Sequence, residues 1–139
     1  MIVGICSGFF NPIHQGHIEY IQEAKANCDQ LVVIVNNDIQ VEIKKSKPFM
    51  DEEHRRFIVN NVKGVDLAII STDKDDSSAE TIEAIAKLNN WGDKITLFNS
   101  GDRNPENNNK KENEVCKKYN IEERFLPLEK TYSSRDFKA

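Results

Sequence analysis

The sequence predicts an α/β fold, a doubly wound parallel sheet of about five strands flanked by helices. Three observations carry this. Short β-branched runs alternate with stretches of helical periodicity along the whole chain, as repeated βαβ units do. Each run is apolar on both faces, as a parallel sheet covered on both sides requires. A length of 139 residues is enough for one domain and its core, and too short for a second.

The first strand is expected near Ile2 to Ser7, and the stripe Ile18, Ile21, Ala24 and Cys28 marks the first helix. A second strand is expected near Leu31 to Val35. After it comes a lysine-rich loop, Lys44-Lys45-Ser46-Lys47, and then a helix from Asp51 to about Val62 that buries Ile58 and Val62. Arg55 and Arg56 fall near the start of that helix, where cations oppose the dipole, so an anion is expected to hold them there. The alternative is a solvated face. Asp66 to Ser71 reads as the third strand. Ile82, Ile85, Ala86 and Asn89 trace the next helix, with Ser77 and Glu80 spaced as a capping box. Strands near Lys94 to Phe98 and Arg124 to Leu126 complete the sheet. The polar segment from Asn104 to Lys111 is expected to be either a flap over a ligand or a solvent loop, with Asn104 capping a helix that opens on Pro105. No internal repeat is visible.

Composition narrows the function classes. With 19 basic against 23 acidic residues the net charge is −4, which argues against general nucleic-acid affinity, so no nucleic-acid partner is expected. Cys6, Cys28 and Cys116 are odd in number and scattered, unlike a disulfide framework, and fit a reduced, cytoplasmic setting. Met1 leads at once into a strand, and no stretch approaches the length of a membrane span. A soluble protein with no membrane partner is expected.

The most informative segment is Gly8-Phe9-Phe10-Asn11-Pro12-Ile13-His14-Gln15-Gly16-His17, where the first strand hands over to the first helix. A helix starting near Gly16 or His17 presents unpaired N–H groups and the positive end of its dipole, which together attract an anion. Gly8 and Gly16 permit close backbone approach or a sharp turn, and Pro12 stiffens the loop between them. His14 and His17 are three apart and point to one side if both lie in the first turn. Each histidine alone is more often structural. As a pair they could be zinc ligands, yet the scattered cysteines supply no matching pair. Phosphate chemistry suits the arrangement better.

Gly8 to His17 resembles the Gly-x-Phe-Asp/Asn-x-x-His-x-Gly-His signature of the nucleotidyltransferase superfamily that includes the cytidylyltransferases. The resemblance runs nearly end to end. Asp38 stands where relatives carry an acidic residue after the second strand. Lys47-Pro48-Phe49-Met50-Asp51-Glu52-Glu53-His54-Arg55-Arg56 resembles the family's lysine, spacer and Glu-His-Arg helix start, and Val65-Asp66 its third-strand opening. Gly101-Asp102 and Tyr132-Ser133-Ser134-Arg135 match its Gly-Asp turn and its terminal hydroxyl motif.

The resemblance implies a Rossmann-like fold in which a phosphorylated acceptor attacks the α-phosphorus of a nucleoside triphosphate and pyrophosphate leaves. It assigns His14, His17 and Lys47 to catalysis. Gly8, Phe9, Phe10, Asn11, Gly16, Asp102, Arg103, Tyr132, Ser133, Ser134 and Arg135 are expected at the nucleotide, and Asp38, Lys44 and Arg55 at the acceptor. No metal ligand is assigned, and Mg²⁺ is expected to arrive with the triphosphate. A homodimer is implied as well. Two positions depart from the pattern: Phe9 replaces a small or hydroxyl residue, and Arg135 replaces the last hydroxyl. The chain looks most like the glycerol-3-phosphate cytidylyltransferases, which favours CTP and an acceptor such as glycerol 3-phosphate. The alternatives are an adenylyltransferase acting on a sugar phosphate or FMN, and a non-catalytic nucleotide-binding module of the same fold.

Overall fold

The structure, a computed structural model, describes residues 1–89, 93–99 and 109–126. Among them five parallel strands form one sheet in the order β3-β2-β1-β4-β5, with β1 at Ile2–Gly8, β2 at Gln30–Val35, β3 at Leu67–Ile70, β4 at Lys94–Asn99 and β5 at Glu122–Phe125. The strand order reverses between β1 and β4, so the crossovers on either side leave a crevice at their carboxyl ends. The expected doubly wound α/β fold is the one observed.

Among the described residues five helices accompany the strands: α1 at Gln15–Ala26, α2 at Asp38–Ile43, α3 at Glu52–Asn60, α4 at Ala79–Leu88 and α5 at Lys110–Lys118. Strand alternation splits the core in two. Cys6, Val33, Val35 and Phe98 pack with Ile21 and Ala24 of α1 and Val59 of α3 on one face. Ile5, Ile34 and Leu97 pack with Ile82 of α4 and Cys116 of α5 on the other. Burial of the Cys6 thiol pushes its pKa up to about 12, so it is an inert core group.

The structure corrects several local expectations. In α1, Ile18 lies at the surface while Tyr20 is buried with Ile21 and Ala24, and Cys28 falls beyond the helix. In α3 the fully buried residues are Arg55 and Val59; Ile58 and Val62 are only partly covered, and Val62 follows the helix. Helix α2 occupies what reads as plain loop. Its signal was present in Asn37 and Gln40, whose side chains cap each other's backbone N–H in a capping box. The expected box of Ser77 and Glu80 does not form: Ser78 is the cap residue of α4 and makes no side-chain cap bond. Buried Asp73 does that work from the loop after β3, accepting from the N–H of Glu80 and Thr81 and from the Thr81 hydroxyl. Asn104 and Pro105 lie outside the described residues, and α5 is capped by Asn109.

Two stability predictions follow from this packing. Asp73→Ala strips two helix N–H groups and a hydroxyl of their acceptor and should cost about 2 kcal/mol in urea unfolding. At the surface, Asp75 accepts from Lys111 Nζ at 2.6 Å and from the Ser77 hydroxyl and N–H, and these contacts hold its carboxyl down at about 2 from its ordinary 3.8. A lowered folded pKa contributes stability that is present above the unfolded value and lost as pH falls toward 2. Melting temperatures of Asp75→Asn should therefore fall less steeply than the parent's between about pH 4 and pH 2, and added salt should shrink the difference.

Candidate active site

The carboxyl end of β1 turns sharply. A Cβ on Gly8 would sit 2.9 Å from Phe10 Cζ, so only glycine lets the Phe10 ring fold back over the strand end. Phe10 adopts a left-handed φ of 50°, and its buried ring meets the His17 ring edge-on at 4.9 Å. That contact sets the wall against which the histidines stand.

His14 is the N-cap of α1 and forms a reciprocal box with His17. Its Nδ1 accepts from the Gly16 N–H at 3.1 Å, and its own N–H donates to His17 Nδ1, also at 3.1 Å. The two rings stack with centroids 3.8 Å apart. Because each Nδ1 is spent as an acceptor, a neutral ring must carry its proton on Nε2. Each imidazole at the helix start thereby has a defined tautomer when neutral. Gly16, expected at the nucleotide, gives its N–H to this cap.

Asn11, expected at the nucleotide, holds the lysine loop. It is buried, its Nδ2 donates to Lys47 O at 3.0 Å, and its Oδ1 accepts from the Phe49 N–H at 2.6 Å. The backbone of Lys47 is thus tied beside the histidine loop across 36 positions of sequence. Lys44, just after α2, sets its ammonium 5.0 Å from the centroid of the Phe9 ring. The phenyl group that departs from the family pattern therefore stands under a cation at the same edge.

Arg55, expected to bind the acceptor, is committed within the protein. It is 1 % exposed, and its guanidinium donates to Phe9 O and Asn36 O at 2.7 Å each, to Met50 O at 3.0 Å and to Asp38 Oδ1 at 2.6 Å. The anion that holds this cation near a helix start is Asp38, itself expected at the acceptor along with Lys44. Its carboxylate is still partly exposed, at 32 %. Arg56 stays near the surface against Glu53.

Tyr20 is a site-shaping residue that the sequence reading missed. Its hydroxyl donates to Phe98 O on β4 and accepts from the Ser7 N–H on β1. It bridges the strands past Ile5 and Leu97, where their ladder ends. Asp102, Arg103, Tyr132, Ser133, Ser134 and Arg135 lie outside the described residues. No group of three or more side chains able to hold a metal occurs among the described residues, nor is any described helix long and apolar enough to cross a membrane.

The model of the cytidylyltransferase-like family matches residues 5–138. The chain belongs to that family. Among its curated relatives is an FAD synthase of Aciduliprofundum boonei, 42 % identical over 76 residues that make up 55 % of this chain and 50 % of that one. The chain spans about half the length of the FAD synthases it matches. The structure is similar to a lipopolysaccharide core biosynthesis protein of Thermoplasma volcanium, with a TM-score of 0.70 and 23 % identity over 96 % of this chain and 99 % of the other. It is also similar to a bifunctional NMN adenylyltransferase/ADP ribose pyrophosphatase of Francisella tularensis complexed with AMP and a manganese ion. There the TM-score is 0.67 at 14 % identity, over 97 % of this chain and 39 % of that one. These likenesses establish the fold.

The position of Arg55 generates a prediction. Arg55→Met leaves Asp38 unpaired and three carbonyls without their donor, and should lower unfolding free energy by about 3 kcal/mol. Arg56→Met, at the surface, should stay within about 0.5 kcal/mol of the parent. Urea titrations of the two variants side by side make the comparison.

Proposed function

We propose that this chain is a nucleotidyltransferase that joins the nucleotidyl group of a triphosphate to a phosphorylated acceptor, with ATP and FMN the favoured pair. The observation that carries the reading is the stacked His14–His17 pair at the N-terminus of α1, beside the crevice between β1 and β4. The names of the FAD synthase relatives support the adenylyltransferase alternative better than the initial preference for CTP and glycerol 3-phosphate.

In the proposed reaction an acceptor phosphate oxygen bonds to the α-phosphorus as the bond from that phosphorus to the bridging oxygen breaks, and pyrophosphate leaves with the electron pair. No protein nucleophile is needed, so the chain contributes positioning and charge stabilisation. The Nε2–H groups of His14 and His17 donate to phosphate oxygens that gain charge, aided by the positive end of the α1 dipole. Lys47 supplies a cation at the reacting phosphates, and Lys44 one at the acceptor. Asp102, Arg103, Tyr132, Ser133, Ser134 and Arg135 keep the nucleotide roles that the family resemblance gives them. Mg²⁺ arriving with the triphosphate would neutralise its charge and would be held largely by phosphate oxygens. A homodimer, carried over from the resemblance, would show in light scattering.

A pyrophosphate-release assay with ATP and CTP against FMN, glycerol 3-phosphate and sugar phosphates tests the reading. Release with ATP and FMN is expected. Release only with CTP and glycerol 3-phosphate would restore the cytidylyltransferase assignment, whereas triphosphate binding with no release from any pair would indicate a non-catalytic module. His17→Ala should lower turnover about 10²-fold through loss of a transition-state donor. It should also cost about 1 kcal/mol of stability through the lost cap. Unaltered turnover would refute the role of this ring.

A further inference from the structure

Two buried amides at the carboxyl edge of the sheet each carry an atom without a hydrogen-bond partner among the described residues: Oδ1 of Asn36 and Nδ2 of Asn99. Each residue is 5 % exposed. A buried polar atom left unpaired costs about 1–3 kcal/mol, and native structures contain few of them. Two at one edge of one sheet require a reason.

Their positions supply one. Asn36 follows Val35, the register partner of Gly8, and its N–H donates to Gly8 O at 2.9 Å. Asn99 ends β4, on the other side of β1. The amides therefore bracket the end of β1, about 10 Å apart across two strand spacings. The ladder between β1 and β4 stops at Ile5 and Leu97 although the strands continue to Gly8 and Asn99, so Asn99 stands where the two part.

Alternation sets the face. Ile34 and Leu97 belong to the cluster under α4 and α5, so Asn36 and Asn99, each two residues on, continue that face. The histidines start α1, on the opposite face. A substrate whose phosphates lie at the histidines meets the amides with another part of itself.

We propose that Asn36 and Asn99 are substrate-binding residues that recognise the hydroxyl-bearing part of a phosphorylated substrate, either a nucleotide ribose or an acceptor polyol. This deepens the transferase reading and rests on it. Asn36 offers a carbonyl lone pair and Asn99 an N–H. A hydroxyl can donate to the first and accept from the second, and it also serves either amide if turned over. A phosphate oxygen, which only accepts, is repelled by Oδ1.

The test uses Asn36→Leu and Asn99→Leu, near in size to the parent residues and lacking the unpaired atom. Replacing an unpaired polar group by an apolar one of similar shape should leave the melting temperature at or above the parent's. Calorimetry should show the dissociation constant of ATP or of FMN rising roughly tenfold. That of inorganic pyrophosphate, which has no hydroxyl, should hold. Movement of the ATP constant assigns the amide to the ribose; movement of the FMN constant assigns it to the polyol. A lower melting temperature with all three constants unchanged would overturn the proposal, as would no change in any quantity. Asn36→Ala and Asn99→Ala, which leave room for water, replace a leucine variant that does not fold, and failure of both versions also overturns it. A parent that binds ATP yet releases no pyrophosphate with any acceptor overturns the transferase reading alone, and the ATP-to-pyrophosphate comparison still decides the role of the amides.

Discussion

The candidate site depends on one buried cation. The Arg55 guanidinium gathers the carbonyl of Phe9 from the loop after β1, that of Asn36 from the end of β2, that of Met50 from the approach to α3, and the carboxylate of Asp38 at the start of α2. Four segments that have no reason to meet are held by one planar group with five donors in a fixed fork. Lysine offers a single point charge and cannot reproduce that geometry. Taking such a cation out of water is costly, and it is sustained here because four acceptors surround it. The cost falls at the site edge, where it fixes the backbone on either side of Phe9 and Asn36.

Around that anchor, the remaining polar groups divide into those spent on architecture and those aimed outward. Asn11 spends its amide joining the Lys47 loop to the histidine loop. Asn37 and Gln40 spend their amide oxygens, and Asp73 its carboxylate, on helix starts. The histidines do both at once: each Nδ1 closes the first turn of α1, and that same bond settles which nitrogen carries the proton. A capping aspartate would close the turn equally well and, being acceptor-only when ionised, present no donor to a ligand. On the proposed function, using imidazoles as caps makes helix initiation and phosphate recognition parts of one hydrogen-bond network.

Much of this was legible in the residues. Short apolar runs located β1, β2, β3 and β4 to within a few positions, because strands covered on both faces must be apolar throughout, whereas β5 carries two glutamates and an arginine. The spacing of His14 and His17 announced a shared face at a helix start. Helix α2 was readable as well, in the Asn37–Gln40 box, had the lysine run after it not drawn the eye to a loop. Arg55 shows where such reading stops. Its cationic character at a helix start correctly called for an anion, but nothing along the chain says whether that anion is a substrate or Asp38, 17 positions earlier.

The sequence by itself determined the fold class, the family and the chemical types gathered at the strand–helix junction, since these follow from periodicity, glycine placement and local motif spacing. Only the tertiary structure decided how the polar residues are employed. The partners of Arg55, Asn11, Asp73 and Tyr20 arrive from other strands and loops, and a hydrogen bond is satisfied by whatever the fold brings within about 3 Å, whatever its distance along the chain. The same accounting separates Asn36 and Asn99 from their neighbours. In composition they match the asparagines that cap and tether, and only the packed sheet shows that each keeps an atom that no described residue satisfies.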